Sequence, residues 1–314
     1  MPSVTSLTLD SFRPETLDAA VTGGAVDHVQ LGPGRFVAQL LHAELGGCAL
    51  DYGAYNLPLL ACGGMPADRV VLGFVGSDAA DGNLNGTVVR NAALVALAEG
   101  SELDYQLAPR TRWMGLQVDR TTLEDLGVVL GTEASIFPPL EPAKRDQIAR
   151  LVADAVELLC GVEAADPAVL DAATATCALC EDLTATLASA FPTTDDSVLP
   201  SASTVQRRLR ILRRVREYFE AHLSEPIRVT HLCREVGASV KSMERVFLEV
   251  YGTNPKQLLT LMRMARARRL LLATRPGETT VADVATDCGF FHLGRFSKSY
   301  STLYGEPPSA TLLS

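Results

Sequence analysis

Two clusters of polar and cationic side chains near the C-terminal end of the chain have the chemistry needed to read the edges of DNA bases. Lys and Arg donate hydrogen bonds to guanine, Glu accepts from cytosine, and Ser can do either in a major groove. The alternative for each charged residue is a solvated helix face or a phosphate contact, which carries no sequence information. The candidate DNA-binding residues are Lys241, Ser242, Glu244, Arg245, His292, Arg295, Ser297 and Lys298.

The clusters lie in two copies of one short helical unit, which run from Val229 to Pro255 and from Val281 to Pro308. In the first copy Gly237 can end a helix in the left-handed conformation, and Ser239 is suited to cap the next helix. Each copy therefore predicts a helix-turn-helix whose second helix buries an apolar stripe and exposes one cluster. The positions shared by the copies are Gly237 with Gly289, Phe247 with Tyr300, Tyr251-Gly252 with Tyr304-Gly305, and Pro255 with Pro308.

A single helix is predicted between the two units, from Pro255 to Thr274. Pro255 fits the first turn of a helix, where its missing N–H costs nothing, and no further Gly or Pro occurs before Pro276. Such a helix would hold the units rigidly apart. If it sets them one turn of B-DNA apart, roughly 34 Å, both second helices can enter successive major grooves on one face of the duplex.

The segment from about Ser203 to Ser314 resembles the DNA-binding domain of AraC/XylS-family transcription regulators. The resemblance rests on the turn EVGAS, the helix SMERVFLEVYGTNP, the joining RMARARRLL and the C-terminal GFFHLGRFSKSYSTLYGEPPS. The stretch HLGRFS is similar to the subgroup that includes ethanolamine-utilisation regulators. The resemblance implies a transcription regulator, activator or repressor, that binds double-stranded DNA and has RNA polymerase as a further partner.

The resemblance also implies which positions read bases. Leu293 and Gly294 depart from the family pattern, because neither carries a hydrogen-bonding side chain. Base reading by the second unit is therefore expected to rest on His292, Arg295 and Lys298, with a looser second half-site as one consequence. The positions carried over are Lys241, Glu244 and Arg245 in the first unit, and Leu293, Gly294, Ser297 and Lys298 in the second.

Charge divides the chain in the same place. Residues 201–314 contain 18 Lys and Arg against 10 Asp and Glu, whereas residues 1–200 contain 10 against 27. A basic half beside an acidic half indicates a polyanionic partner for the basic one. The acidic half is expected to project away from the duplex.

Residues 1–140 are predicted to form a β domain, since their apolar runs are short and separated by Gly, Pro, Asn or Asp. The family resemblance, carried here by FRPETLDAAV and VQLGPGRFVAQL, implies a cupin-like domain that binds a small-molecule effector. The predicted fold class is α+β and multidomain, with a cupin-like β-barrel or sandwich, a helical dimerisation segment and an all-α domain with two helix-turn-helix units. The predicted boundaries are 1–140 for the cupin-like domain, 141–191 for the helical segment, 192–203 for a linker and 204–314 for the DNA-binding domain.

Pockets combine apolar walls with a few polar anchors, so aromatic and charged residues amid the predicted strands are the candidates for effector binding. Metal catalysis is not expected, because His28 and His42 lie far apart and no third histidine occurs before His222. No cofactor and no catalytic residue are predicted either. The effector-binding candidates are Tyr52, Tyr55, Asn56, Arg90, Tyr105, Arg112 and Trp113.

Two helices with apolar faces are predicted between Pro142 and Phe191, and the resemblance implies that they form a homodimer interface. The alternative is that they only cover the β domain. The chain has seven cysteines and no export signal, which predicts reduced thiols. Cys177 and Cys180 are one turn apart in the second helix, where core packing is the expectation and a redox or zinc role is the alternative.

The sequence therefore predicts a cytoplasmic, non-enzymatic transcription regulator under the control of a small effector. No stretch is apolar enough to span a membrane, and no leader segment is evident at the N-terminus. Two alternatives remain: a ligand-independent DNA-binding regulator, and a cupin enzyme tethered to DNA. An effector-dependent change in DNA affinity distinguishes the first two, and turnover without DNA would support the third.

Overall fold

The computed structural model describes residues 3–77, 80–128, 130–131, 134–137, 140–164, 172–191, 202–275 and 277–314. An N-terminal β domain is packed between two helices on one side and a C-terminal helical domain on the other. The N-terminal elements are β1 (Ser3–Leu9), α1 (Pro14–Leu17), β2 (Ala25–Gln30), β3 (Ala38–Glu44), β4 (Ala49–Tyr55), β5 (Leu59–Gly64), β6 (Val70–Ser77), β7 (Gly82–Leu84), β8 (Thr87–Val89), β9 (Ala93–Leu97), β10 (Glu102–Leu107), β11 (Thr111–Val118), α2 (Arg120–Asp125) and β12 (Ser135–Ile136).

The strands form two antiparallel sheets. One has the order β1-β3-β4-β11-β6-β9-β12, and the other has the order β2-β5-β10-β7-β8. Apolar side chains from both sheets meet in one core, which makes the domain a sandwich. Within the described residues the strand pairing does not close the two sheets into a barrel, so of the two predicted architectures the sandwich is the one present.

Two helices, α3 (Pro142–Ala164) and α4 (Ala172–Ala188), cover the outer face of the seven-stranded sheet. The predicted apolar face of α3 is largely used there, because Ile148, Ala155 and Leu159 are buried against the sheet. Leu158, on the same helix, is 48% exposed. The helices thus cover the sheet within the single chain, and among the described side chains of α3 an apolar strip that includes Leu158 is exposed.

The prediction that all cysteines are reduced thiols is wrong for one pair. A disulfide joins Cys48, at the edge of β4, to Cys180 in α4. Both residues are buried in the core between the seven-stranded sheet and the helices. The pairing could not be inferred from the CALC spacing, since the two partners are 132 residues apart in the sequence. The side chain of Cys177 lies outside the described part.

The C-terminal domain begins with α5 and contains two helix-turn-helix units joined by α8. The linker predicted over residues 192–203 lies outside the described residues except for its last two, which already belong to α5. In the described part of the chain no helix is both long and apolar enough to cross a membrane. The helices are α5 (Ala202–Ala221), α6 (Val229–Val236), α7 (Val240–Tyr251), α8 (Pro255–Ala273), α9 (Val281–Asp287), α10 (Leu293–Tyr304) and α11 (Pro308–Leu312).

Candidate functional site

The first unit consists of α6 and α7, and its turn has the predicted local chemistry. Gly237 is left-handed with φ 66° and ends α6, while the Ser239 hydroxyl caps α7 by accepting a hydrogen bond from the Ser242 backbone N–H at 3.2 Å. The apolar stripe of α7 is buried at Met243, Phe247 and Val250, whereas Val240 at its start is 39% exposed. The opposite face of α7 is therefore fixed in orientation and free of internal packing.

Three of the four predicted residues of the first unit are exposed on that face. Lys241, Glu244 and Arg245 point to solvent. Within the described residues, Arg245 forms a long ion pair with Glu249, at 3.9 Å. Ser242 is half-buried, and its hydroxyl accepts a hydrogen bond from the Ser239 hydroxyl at 3.0 Å. The Ser242 hydroxyl thus already interacts with the helix cap. Arg245, by contrast, would lose only a weak ion pair on contacting a ligand.

The second unit, α9 and α10, repeats this arrangement with different caps. Thr280 and Asp283 form a reciprocal capping box at the start of α9, and Gly289 is left-handed with φ 76°. Phe296 and Tyr300 anchor α10 in the core. The predicted residues His292, Arg295 and Lys298 are exposed, and Ser297 is half-buried.

Helix α8 connects the cores of the two units. Its first half contributes Leu258 and Met262 to the core of the first unit, and its second half contributes Ala267 and Leu271 to the core of the second. The helix has 19 residues and is therefore about 28 Å long. Because each end is embedded in the core of one unit, α8 joins the two units rigidly.

A separate cavity of about 70 Å³ lies inside the β sandwich. Its walls are mostly Val, Leu and Met side chains from both sheets, with a few polar groups among them. A cavity of roughly 150 Å³ can bind a benzene molecule, so this smaller cavity suits a compact molecule. The polar and aromatic lining residues are His28, Asp51, Tyr55, Tyr105 and Trp113.

In the described part of the chain His28 Nδ1 and the Tyr55 hydroxyl have no hydrogen bond of normal geometry, although the Val26 backbone lies near the imidazole and Trp113 lies near the hydroxyl. Burial lowers the pKa of His28 to about 4, so its imidazole is neutral at pH 7. The Asp51 carboxylate, by contrast, is satisfied by His42 Nδ1 at 2.8 Å and Gln117 Nε2 at 2.6 Å. The cavity therefore offers two neutral polar groups in apolar surroundings.

Comparison with known proteins is informative for the C-terminal region. A helix-turn-helix domain model matches residues 232–313. The chain is 38% identical over 102 residues to a probable thc operon regulatory protein of Rhodococcus erythropolis, with 32% of this chain and 31% of that protein covered. It is 31% identical over 99 residues to a XylDLEGF operon transcriptional activator of Pseudomonas putida, with the same two coverages. The C-terminal domain is of the AraC/XylS type.

A solved structure of a probable AraC family transcriptional regulator from Rhodopseudomonas palustris CGA009 is 36% identical to this chain. The match covers 32% of this chain and 94% of that one, with a TM-score of 0.30. The chain spans less than a third of the length of the two regulators described above. Each of these three matches covers 32% of this chain.

The second unit of the AraC-type domain is fastened to the β domain by hydrogen bonds to one backbone carbonyl. The Leu303 carbonyl accepts from the buried Gln30 amide at 2.6 Å and from the Gly34 N–H at 3.0 Å. Nearby, the Arg268 guanidinium donates to the Phe12 carbonyl. Because Arg268 is only 1% exposed, this contact places a buried cation between the domains.

The first unit is fastened by a different group, the Asp104 carboxylate of β10. Asp104 accepts hydrogen bonds from Arg216 Nη1 at 2.8 Å and from the Tyr251 hydroxyl at 2.6 Å. Burial raises the pKa of Asp104, and the Arg216 charge opposes that rise. Tyr251 is the last residue of α7, so the helix that carries Lys241 and Arg245 is tied directly to the five-stranded sheet.

The effector candidates predicted from the sequence are divided between cavity and surface. Tyr55, Tyr105 and Trp113 line the cavity. Tyr52 lies on the other face of β4, towards α3, because neighbouring strand residues alternate between faces. The Asn56 amide is used to hold the Val37 N–H and the Arg35 carbonyl. Arg90 and Arg112 are exposed and do not line it.

Sequence reasoning missed His28, Asp104 and Arg268. His28 was considered only as a metal ligand, although in β2 it alternates with exposed Ala25 and Asp27 and so points inwards. In the described residues no group of His, Cys, Asp and Glu side chains is arranged to hold a metal ion. For Arg268 a signal was present, because it lies four residues after Met264 and three before Leu271 on the apolar stripe of α8.

Proposed function

We propose that the protein is a sequence-specific DNA-binding transcription regulator. The observation that carries the proposal is the pair of helices α7 and α10, each with an exposed polar face, mounted at opposite ends of the rigid helix α8. Helix-turn-helix regulators place such helices in the major groove, where their N-terminal residues contact base edges. The basic character of residues 201–314 supports the same role.

Within the proposal, Arg245 is the main base-reading residue of the first unit, with Lys241 and Glu244 beside it. Ser242 has a smaller part, since its hydroxyl already interacts with the helix cap. In the second unit His292, Arg295 and Lys298 approach the duplex, and Ser297 lies at the edge of the contact. All the cations among them are exposed, so binding DNA does not require breaking a buried ion pair.

Arg245→Ala is expected to weaken binding to the target site about 10- to 100-fold, because a bidentate arginine contact contributes about 1–3 kcal/mol of discrimination. Binding to a scrambled duplex of equal length should change little. The measurement is fluorescence anisotropy on the region upstream of the protein's own gene, over a salt series with excess nonspecific competitor. Affinity should fall steeply with salt.

The matched control is Arg150→Ala, which removes the same charge from an exposed position on α3. It should leave both affinities within about twofold of wild type. If Arg245→Ala and Arg150→Ala bind target and scrambled DNA alike, the first unit does not read bases. If even the wild type loses all binding to competitor on every upstream fragment, the proposed function is wrong.

We further propose that the sandwich cavity binds the effector, a compact and largely apolar molecule without net charge. A buried donor or acceptor left unpaired is costly, so a ligand that pairs with His28 and Tyr55 would gain affinity from both. No Lys or Arg lines the space, and the Asp51 carboxylate disfavours an anion. An effector-dependent change in DNA affinity separates this proposal from a ligand-independent regulator.

The assembly in this proposal is a homodimer that acts on RNA polymerase at a promoter. Paired half-sites in DNA commonly reflect a protein two-fold axis. The strip on α3 that includes Leu158 is the surface proposed for the partner chain. The domain boundaries predicted above place a linker between α4 and α5. In this proposal the linker lets the AraC-type domain of each chain bind its own half-site.

A further inference from the structure

Two large apolar side chains are exposed at the N-terminal end of α10, the end that a recognition helix inserts into a groove. Phe291 is 67% exposed and Leu293 is 42% exposed. They are separated in the sequence only by His292, and this pair of exposed apolar residues is called the apolar patch below. The exposed cations Arg295 and Lys298 follow on the same helix. The patch therefore lies where base edges are expected. Arg295 and Lys298, further along α10, are placed to bind phosphates.

At Gly294, next to this patch, neither the backbone conformation nor the packing within the protein requires a glycine. It is the second residue of α10, its backbone is not left-handed, and nothing lies within 4 Å of where a Cβ would be. Glycine in a helix is less favourable than alanine. A glycine that no internal contact requires is typical of a position where a ligand must approach the backbone closely.

The two units differ at two of these three positions; at the third, Leu293 corresponds to Val240, which is also apolar and is 39% exposed. Aligned on Phe247 and Tyr300, the first unit has Lys241 where the second has Gly294. In the same alignment Ala238 of the first unit corresponds to Phe291. Where the first unit has a long cationic side chain the second has none, and where the first has a methyl group the second has an aromatic ring. The surface of the second unit therefore adds apolar groups to the exposed side chains of His292, Arg295 and Lys298.

We propose that the second unit recognises thymine C5-methyl groups through Leu293 and Phe291, with Gly294 allowing the close approach. The methyl group of thymine is the apolar feature that the major groove presents. The proposal rests on the proposed DNA-binding function and specifies what its second unit reads. Sequence preference in the second half-site then depends on apolar burial, while Arg295 and Lys298 bind the phosphate backbone.

The test replaces single thymines by deoxyuridine, which lacks only the methyl group, in duplexes bound specifically by the full chain. Within the half-site contacted by α10, at least one replacement should weaken wild-type binding about fourfold, the effect of exposing one buried methyl. Leu293→Ala should bind the thymine duplex more weakly and lose that deoxyuridine penalty. The control Leu248→Ala, also an exposed leucine but on α7, should keep it.

Gly294→Ala provides a second readout that a purely structural role would not give. It should raise the melting temperature of the protein and yet weaken specific binding, because the added methyl occupies space needed by the duplex. The inference is overturned if no thymine in that half-site shows a penalty above twofold, or if Leu293→Ala keeps the full penalty. Loss of all competitor-resistant binding by wild type would overturn the DNA-binding function as well.

Discussion

Replacing Arg268 by Met is expected to lower the free energy of unfolding by about 2–4 kcal/mol, because removing one partner of a buried ion pair costs about 3–5 kcal/mol and this pair is partly exposed. Arg268 is 1% exposed and forms an ion pair with Glu306 at 2.8 Å. The Glu306 side chain is 35% exposed, which is the reason for the lower figure. The guanidinium also lies 4.6 Å from the centre of the Tyr304 ring.

The substitution removes the donor from the Phe12 carbonyl and the Tyr300 hydroxyl, whereas the Thr311 hydroxyl still accepts from Tyr300 at 3.0 Å. Arg268 Nε donates to the Phe12 carbonyl, and Nη1 donates to the Tyr300 hydroxyl at 3.2 Å and to the Thr311 hydroxyl at 3.3 Å. Methionine fills much of the volume but satisfies none of them. Arg268→Lys should give an intermediate loss, because one ammonium cannot reproduce the fixed fork of donors.

The measurement is urea unfolding followed by two probes: the fluorescence of Trp113, the single tryptophan, for the sandwich, and far-ultraviolet circular dichroism for the helical domain. The matched control is Arg266→Met on the same helix. Arg266 is exposed, so a change within about 0.5 kcal/mol is expected. Equal stability of the Arg268 and Arg266 variants would contradict the assignment of Arg268 as an interdomain anchor.

Asp104→Ala is expected to make the two domains unfold in separate transitions. The free energy of interaction between them should fall by about 3 kcal/mol or more, because the Arg216 cation loses its buried partner. The side chains of Asp104 and Arg216 are 10% and 15% exposed. In the described part of the chain, the carboxylate that Arg216 keeps is that of Glu220, at 3.5 Å. In the wild type the shared contacts should make both domains unfold together, whereas in the variant the two probes should give different midpoints.

Two further variants distinguish loss of the pair from general damage. Tyr251→Phe removes one hydrogen bond to a carboxylate and should cost about 1.5–3 kcal/mol without leaving a charge unpaired. Adding Arg216→Met to Asp104→Ala should recover part of the loss, because no uncompensated charge remains. Coincident midpoints in Asp104→Ala, as in wild type, would show that Asp104 does not couple the domains.

The elements of the AraC-type domain could be predicted from sequence because their signals are local. Gly237, Gly252 and Gly305 are left-handed at the helix ends where glycine favours that conformation. Ser239 caps α7 as expected, and α8 begins at Pro255 and ends one residue before its predicted limit. In each case a residue and its neighbours within one helical turn decide the outcome.

The contacts between the domains could not be predicted, because they join residues far apart in the chain. Asp104 and Tyr251 are 147 residues apart, and Arg268 and Phe12 are 256 apart. The same limit applies to the disulfide between Cys48 and Cys180. In the sequence Asp104 and Arg216 both have the character of surface charges, and only the packing of β10 against α5 and α7 buries them.

The aromatic residues that line the cavity could be predicted from the sequence, but its polar and charged lining could not. Aromatic residues on strands were expected to line it, and Tyr55, Tyr105 and Trp113 do. The charged candidates Arg90 and Arg112 were chosen for their chemistry alone, without the strand alternation that directs a side chain inwards or outwards. Applying that alternation to β2 would have placed His28 inside.

The central claim, that α7 and α10 read DNA together from the two ends of α8, is tested most directly by selecting binding sites from a random DNA library. The full chain and its Arg245→Ala variant are used in parallel. The wild type should select two conserved blocks centred about 10 base pairs apart, one helical turn. Arg245→Ala should lose sequence information in one block only. A single block, or equal loss in both blocks, would contradict the claim.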